Sequence, residues 1–209
     1  MKKKVIYSVV MLITLIFVIF LFGSTSYAGS QRLNNLNYDV TLNQDGSANV
    51  TETWNIRVSE TNTLFKTFEL DSKKYGSITN VEVSEVTANG ETVKFSNTGT
   101  YAYHVKKGGF YALTRPGSEF EIAWGVSIDN TETHTYEIKY KIENAVKTYN
   151  DCSEFYWQFI GKTNGIPAKK VTGKLSLPSE ILNKENLKVW AHGPLNGNIE
   201  IIDNRGSII

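Results

Sequence analysis

The chain has 209 residues, of which 41% are hydrophobic and 12% aromatic, enough for one large all-β domain or two small ones and too apolar for a disordered chain. Lys and Arg number 22 against 21 Asp and Glu, and three of the lysines, Lys2, Lys3 and Lys4, crowd the amino terminus, so the remainder is slightly acidic. That balance leaves no nucleic-acid footprint, and a single cysteine excludes an internal disulfide.

The first thirty residues, MKKKVIYSVVMLITLIFVIFLFGSTSYAGS, read as an export signal. Three lysines precede an apolar run over residues 5–22, and Ser26-Tyr27-Ala28 suits cleavage after Ala28. The run is also just long enough to cross a bilayer, so an uncleaved anchor is the alternative. Either way residues 29–209 are expected on the far side of the membrane, with the amino terminus in the cytoplasm. Asn49-Val50-Thr51 matches a glycosylation acceptor, a triplet that means little outside a eukaryotic secretory route.

From residue 36 the hydrophobic period is two, the signature of strands. Leu36, Tyr38, Val40 and Leu42 alternate with polar residues, and after Asp45-Gly46 the alternation resumes at Ala48, Val50, Trp54, Ile56 and Val58, which predicts a hairpin. TLFKTFEL follows, then ITNVEVSEV turning at Asn89-Gly90 into TVKF, then AYHV, a KKGGF hairpin turn, FYAL and EFEIAWGV. In THTYEIKYKIE, Tyr136, Ile138, Tyr140 and Ile142 take one face and charged residues the other, so one side meets a core and the other water. KVTGKLSL, LKVWAH and NIEII complete about ten or eleven strands; PSEILNKE, with Ser179 as cap, is the one helical turn expected. The pattern predicts an all-β, antiparallel sandwich of immunoglobulin-like architecture, as one domain or as two sandwiches joined near 127–133. The closing IEIIDNRGSII ends like an interrupted strand, so a carboxy-terminal continuation is expected.

The stretch YNDCSEFYWQFIG, residues 149–161, poses the functional question. Laid out as a strand, Ser153, Phe155, Trp157 and Phe159 share one face and Glu154, Tyr156, Gln158 and Ile160 the other, so the rings form a core row. Burying three rings is worth several kcal/mol at about 25 cal/mol per Å², reason enough for their presence without a ligand. On this reading Trp157→Ala costs about 3 to 5 kcal/mol. The competing reading makes Cys152 a nucleophile, but the neighbouring charges of Asp151 and Glu154 raise a thiol's pKa, and His104, His134 and His192 are widely spread in the chain. A sortase-like Cys-Arg pairing lacks its local signature. Asp151 and Glu154 as a glycosidase pair would point to opposite sides or to solvent, and Asp151 is better read as a turn cap.

No His or Cys lies at metal-ligand spacing from another, no acidic run has the count of a calcium loop, and no glycine-rich loop leads a strand into a helix. No cofactor, metal or catalytic residue is therefore assigned. Tyr101, Tyr103, Phe110, Tyr111 and Trp124 carry one functional alternative, stacking on sugar rings, although Trp124 shares a face with Phe120, Ile122 and Val126 and belongs to a core.

YDVTLNQDGSANVTETWNI, TYEIKYKIENAVKTYNDCSEFYWQFIG, VTGKLSLP and WAHGPLNG together resemble the bacterial predicted-membrane-protein family catalogued as domain of unknown function 2207, over most of the chain after the signal. The resemblance implies a signal, an extracytoplasmic β region and then transmembrane helices, often with a low-complexity tail; it supplies no activity and no site residues. The reading that results is a non-enzymatic envelope domain tied to the membrane by its amino-terminal segment or a further carboxy-terminal one. Its expected partners are envelope proteins or surfaces. A cell-wall carbohydrate-binding module is the second hypothesis; a secreted hydrolase using Asp151, Cys152, Glu154 and His192 is the third.

Overall fold

A computed structural model describes residues 31–69, 76–115, 119–160, 166–179, 184–190 and 197–201. The predicted signal, His192 and the residues after 201 lie outside that set. The strands are β1 (Gln31–Leu42), β2 (Ala48–Val58), β3 (Thr61–Glu69), β4 (Ile78–Val86), β5 (Thr92–Lys94), β6 (Ser96–Asn97), β7 (Gly109–Arg115), β8 (Glu119–Ile128), β9 (Glu132–Ile142), β10 (Val146–Thr148), β11 (Ser153–Phe155) and β12 (Val171–Ser176). The described residues are all-β apart from one 3-10 turn at Lys184–Asn186; Glu180 to Asn183 of the PSEILNKE turn lie outside them.

Both predicted Asx-Gly turns form. β1 and β2 pair antiparallel around Gly46, whose φ of 79° suits a residue without Cβ, and the Asp45 carboxylate accepts from the Ser47 amide at 2.9 Å. Gly90, at φ 81°, turns β4 into β5 with its N–H on the Thr87 carbonyl. Hairpins propagate into a six-stranded sheet in the order β12-β1-β2-β9-β4-β5; a second sheet runs β3-β8-β7-β6, and β10 pairs with β11 alone.

The expectation of a purely antiparallel arrangement is corrected: the sheets are mixed. β12 runs parallel to β1, with Leu36 opposite Val171 and Thr41 opposite Ser176, and β6 runs parallel to β7. Neither pair is joined by a tight turn, so neither is held to the antiparallel sense that a hairpin imposes. KKGGF does turn, with the Gly109 N–H on the Lys106 carbonyl, but it closes no hairpin. AYHV is a loop, residues 187–190 of LKVWAH are not in a strand, and NIEII contributes an isolated bridge residue, Ile201.

The core lies where the two sheets meet. Trp54 of β2 sits edge-on to Trp124 of β8 with ring centroids 5.3 Å apart, and Phe68 of β3 meets Tyr140 of β9 at 5.2 Å. The chain passes from the larger sheet to the smaller at Glu60, held at a φ of 49° between β2 and β3. β8 departs from the one-sided pattern. Phe120, Ile122, Trp124 and Val126 are buried on the core side, as predicted, and Glu121 and Ala123 are buried on the other. Residues 101–108 cause this by lying across the outer face of the small sheet. An added Cβ on Gly125 would stand 2.2 Å from the Lys106 carbonyl oxygen and 2.3 Å from that of Val105, so only glycine admits this approach.

Candidate functional site

Residues 149–160 do not form the single strand their alternation predicts. β11 ends at Phe155, having folded back on β10 with the Tyr149 N–H donating to the Cys152 carbonyl at 2.8 Å. The turn is thus closed by backbone. The alternation of faces survives beyond the strand: Phe155, Trp157 and Phe159 are half-buried while Glu154, Tyr156, Gln158 and Ile160 are exposed. The expected dry row is therefore corrected to a half-buried one that lies against the edge of the core. Phe159 packs on Tyr38 at 4.8 Å, and Trp157 on Phe68 at 6.0 Å.

Asp151, Cys152 and Glu154 sit together, exposed, on this hairpin. Partial desolvation, then the charges of Asp151 and Glu154, push the thiol's pKa up, which lowers its thiolate population at neutral pH. The histidines are occupied elsewhere: His134 Nδ1 lies 2.6 Å from Glu85 and its Nε2 3.0 Å from Glu132, and His104 stands edge-on to Tyr103 at 4.7 Å. His192 falls outside the described residues.

The chemistry-bearing group that the sequence reading overlooked is interior. Glu52 and Lys66 are fully buried, on β2 and β3, and their side chains pair across the gap between the sheets. Glu52 Oε1 also accepts from the Tyr140 hydroxyl at 2.6 Å, and its Oε2 from the Trp54 indole at 2.9 Å. Lys66 reaches the Phe159 carbonyl at 3.3 Å, where the Tyr38 hydroxyl also donates at 2.7 Å, so this cluster is what fastens residues 156–160 to the core. The Lys66 ammonium stands over the rings of Phe68 and Tyr38, 4.9 and 5.3 Å from their centroids. Burial holds the Lys66 pKa below the ordinary lysine value against the pull of Glu52, and burial followed by the Glu52 charge pushes Tyr140 well up. A signal existed. Glu52 falls in phase with Val50 and Trp54, and Lys66 with Leu64 and Phe68: one charge of each sign in the apolar phase of two successive strands.

A second cluster occupies the outer face of the small sheet. Glu121, buried on β8, accepts from the Tyr111 hydroxyl at 2.6 Å and from Arg115 at 2.9 Å. The Arg115 guanidinium lies 5.4 Å from the centroid of the Tyr101 ring, which rests on Tyr111 at 5.6 Å. The five aromatics proposed for sugar stacking thereby divide. Phe110, Tyr111 and Trp124 are buried, whereas Tyr101 and Tyr103 are 52% and 80% exposed.

With the geometry in place, sequence comparison places the chain. The model of a predicted membrane protein amino-terminal domain, domain of unknown function 2207, matches residues 32–209. The chain belongs to this family. No curated protein matches it. A solved structure described as a "putative protease" from Parabacteroides distasonis aligns with this domain-2207 chain at a TM-score of 0.39 and 10% identity, over 71% of this chain and 29% of its own length.

Proposed function

We propose that these residues form the extracytoplasmic domain of a bacterial membrane protein, a two-layer β-sandwich of immunoglobulin-like architecture that acts by contact and not by catalysis. Membership of a predicted-membrane-protein family and the signal-like leader support the location. The cross-sheet ring contacts support the layering. The observation that carries the non-catalytic reading is that the two buried carboxylates with cationic neighbours are spent internally. Glu52 is engaged by Lys66, Tyr140 and Trp54, and Glu121 by Tyr111 and Arg115, which leaves neither poised toward solvent. The exposed thiol, the remaining candidate nucleophile, is shifted away from the thiolate.

Cys152, the chain's one cysteine and exposed, supplies the test. A membrane-impermeant maleimide applied at mildly alkaline pH to intact cells should label it, with Cys152→Ser as the blank. Labelling confined to permeabilised cells would refute the location. Purified chain should leave ester, peptide and glycoside substrates unchanged, and turnover abolished by Cys152→Ser would refute the non-catalytic role.

A further inference from the structure

Residues 92–118 contain Lys94, Lys106, Lys107 and Arg115 and no Asp or Glu, in a chain whose remainder past the leader is acidic. The fold places two of these cations, Lys106 and Lys107, on the loop that lies over the outer face of the small sheet, and a third, Arg115 of β7, on that same face beside Glu121. Lys106 and Lys107 are exposed and form no ion pair among the described residues, unlike Lys94, which pairs with Glu82 at 3.3 Å. The same loop carries two exposed rings, Tyr101, which Arg115 contacts, and Tyr103. Several contacts hold the loop. The Val105 amide donates to the Thr63 hydroxyl at 3.0 Å, Gly125 seats the loop backbone, and Tyr101 is held between Tyr111 and an arginine that is itself held by Glu121. Fixing a surface tyrosine through the buried Tyr111 and Glu121 and the part-exposed Arg115 reduces the entropy lost when a ligand settles on the ring.

We infer that Tyr101 and Tyr103, with Lys106 and Lys107, form a docking surface for an anionic polysaccharide, the rings stacking on sugar faces and the ammonium groups pairing with carboxylate or phosphate. The C–H bonds on a sugar face meet the negative face of an aromatic ring, and tyrosine adds a hydroxyl for the sugar's own. A lipid surface fits less well. A loop that enters a bilayer boundary presents Trp, Phe or Leu at its tip. Here Val105 is buried, and the exposed Phe65 of the same face lies within a strand. This inference rests on the contact reading above and names its partner.

The test is affinity electrophoresis of the 209-residue chain in gels containing polygalacturonate or its methyl ester, which keeps the rings and removes the charge. The parent should be retarded by the acid form and far less by the ester, with retardation falling as salt rises. Tyr103→Ala should weaken retention about tenfold, the loss of one stacked ring. Lys106→Ala with Lys107→Ala should weaken it and flatten the salt dependence. All three side chains are exposed, so unchanged thermal melts serve as the folding control. No retardation by the acid form, retention indifferent to Tyr103→Ala, or binding to phosphatidylglycerol vesicles in its place would each overturn the inference. Those outcomes leave the maleimide and turnover results standing, so failure here is distinct from failure of the contact reading.

Discussion

Glu52 and Glu121 are the same device in two settings. Each is a buried carboxylate that accepts from a tyrosine hydroxyl and a cation, yet Glu52 lies between the sheets with a fully buried lysine, and Glu121 lies on the outer face with an arginine that is 42% exposed. The inner pair has given up hydration on both sides and depends wholly on its partners; the outer pair keeps water on its cation. Removing a partner should therefore be severe inside and mild outside.

The largest expected effect follows from Lys66→Met, which strands Glu52 without its counter-charge. It should cost about 3 to 5 kcal/mol by denaturant unfolding, and adding Glu52→Leu should restore much of that loss. A double variant as unstable as the single would mean that the cluster acts through shape and not charge. Next is pH. Burial raises the pKa values of Tyr38 and Tyr140, whose ordinary value is 10.0, so their stabilisation is complete below that pH and is lost as the unfolded chain ionises above it. The loss should approach roughly 1.4 kcal/mol per tyrosine for each pH unit. Lys66, with its lowered pKa, works in the opposite sense and adds stability as pH rises toward 10.5, so the two tyrosines set the net sign. A fold as stable at pH 11 as at pH 9 would contradict this. Smaller again is Trp157→Ala: half-buried, it should cost about 1 to 3 kcal/mol, below Trp54→Ala, whose ring is 1% exposed. Smallest is Arg115→Ala, which leaves Glu121 bonded to Tyr111. Its unfolding midpoint should shift less than that of any variant above, and a shift matching Lys66→Met would erase the contrast between the two carboxylates.

The strands were legible because one-sided burial writes itself into alternation. Tyr136, Ile138, Tyr140 and Ile142 read as an inward row and are all buried, and the Gly46 and Gly90 turns fall where the sequence places them. The same rule misled at residues 156–160, where alternation continues without a partner strand. Side chains alternate in any extended backbone, whereas pairing requires a neighbour that the local sequence does not contain. AYHV failed for a related reason. Val105 is buried by packing on Ala123 and Tyr111, residues of strands that come later in the chain.

Composition and period were enough to determine an all-β chain with its two Asx-Gly hairpins and its inward rows, since these depend on residues close in sequence; the family came from the resemblance of motifs dispersed along the chain. Tertiary structure alone decided that β12 joins β1 in parallel, that Glu52 meets Lys66, and that Phe159 caps them, because each joins segments whose separation no local pattern encodes. A charge in the apolar phase of a strand announces that a partner is needed. Only the packing of one sheet on the other says which residue it is.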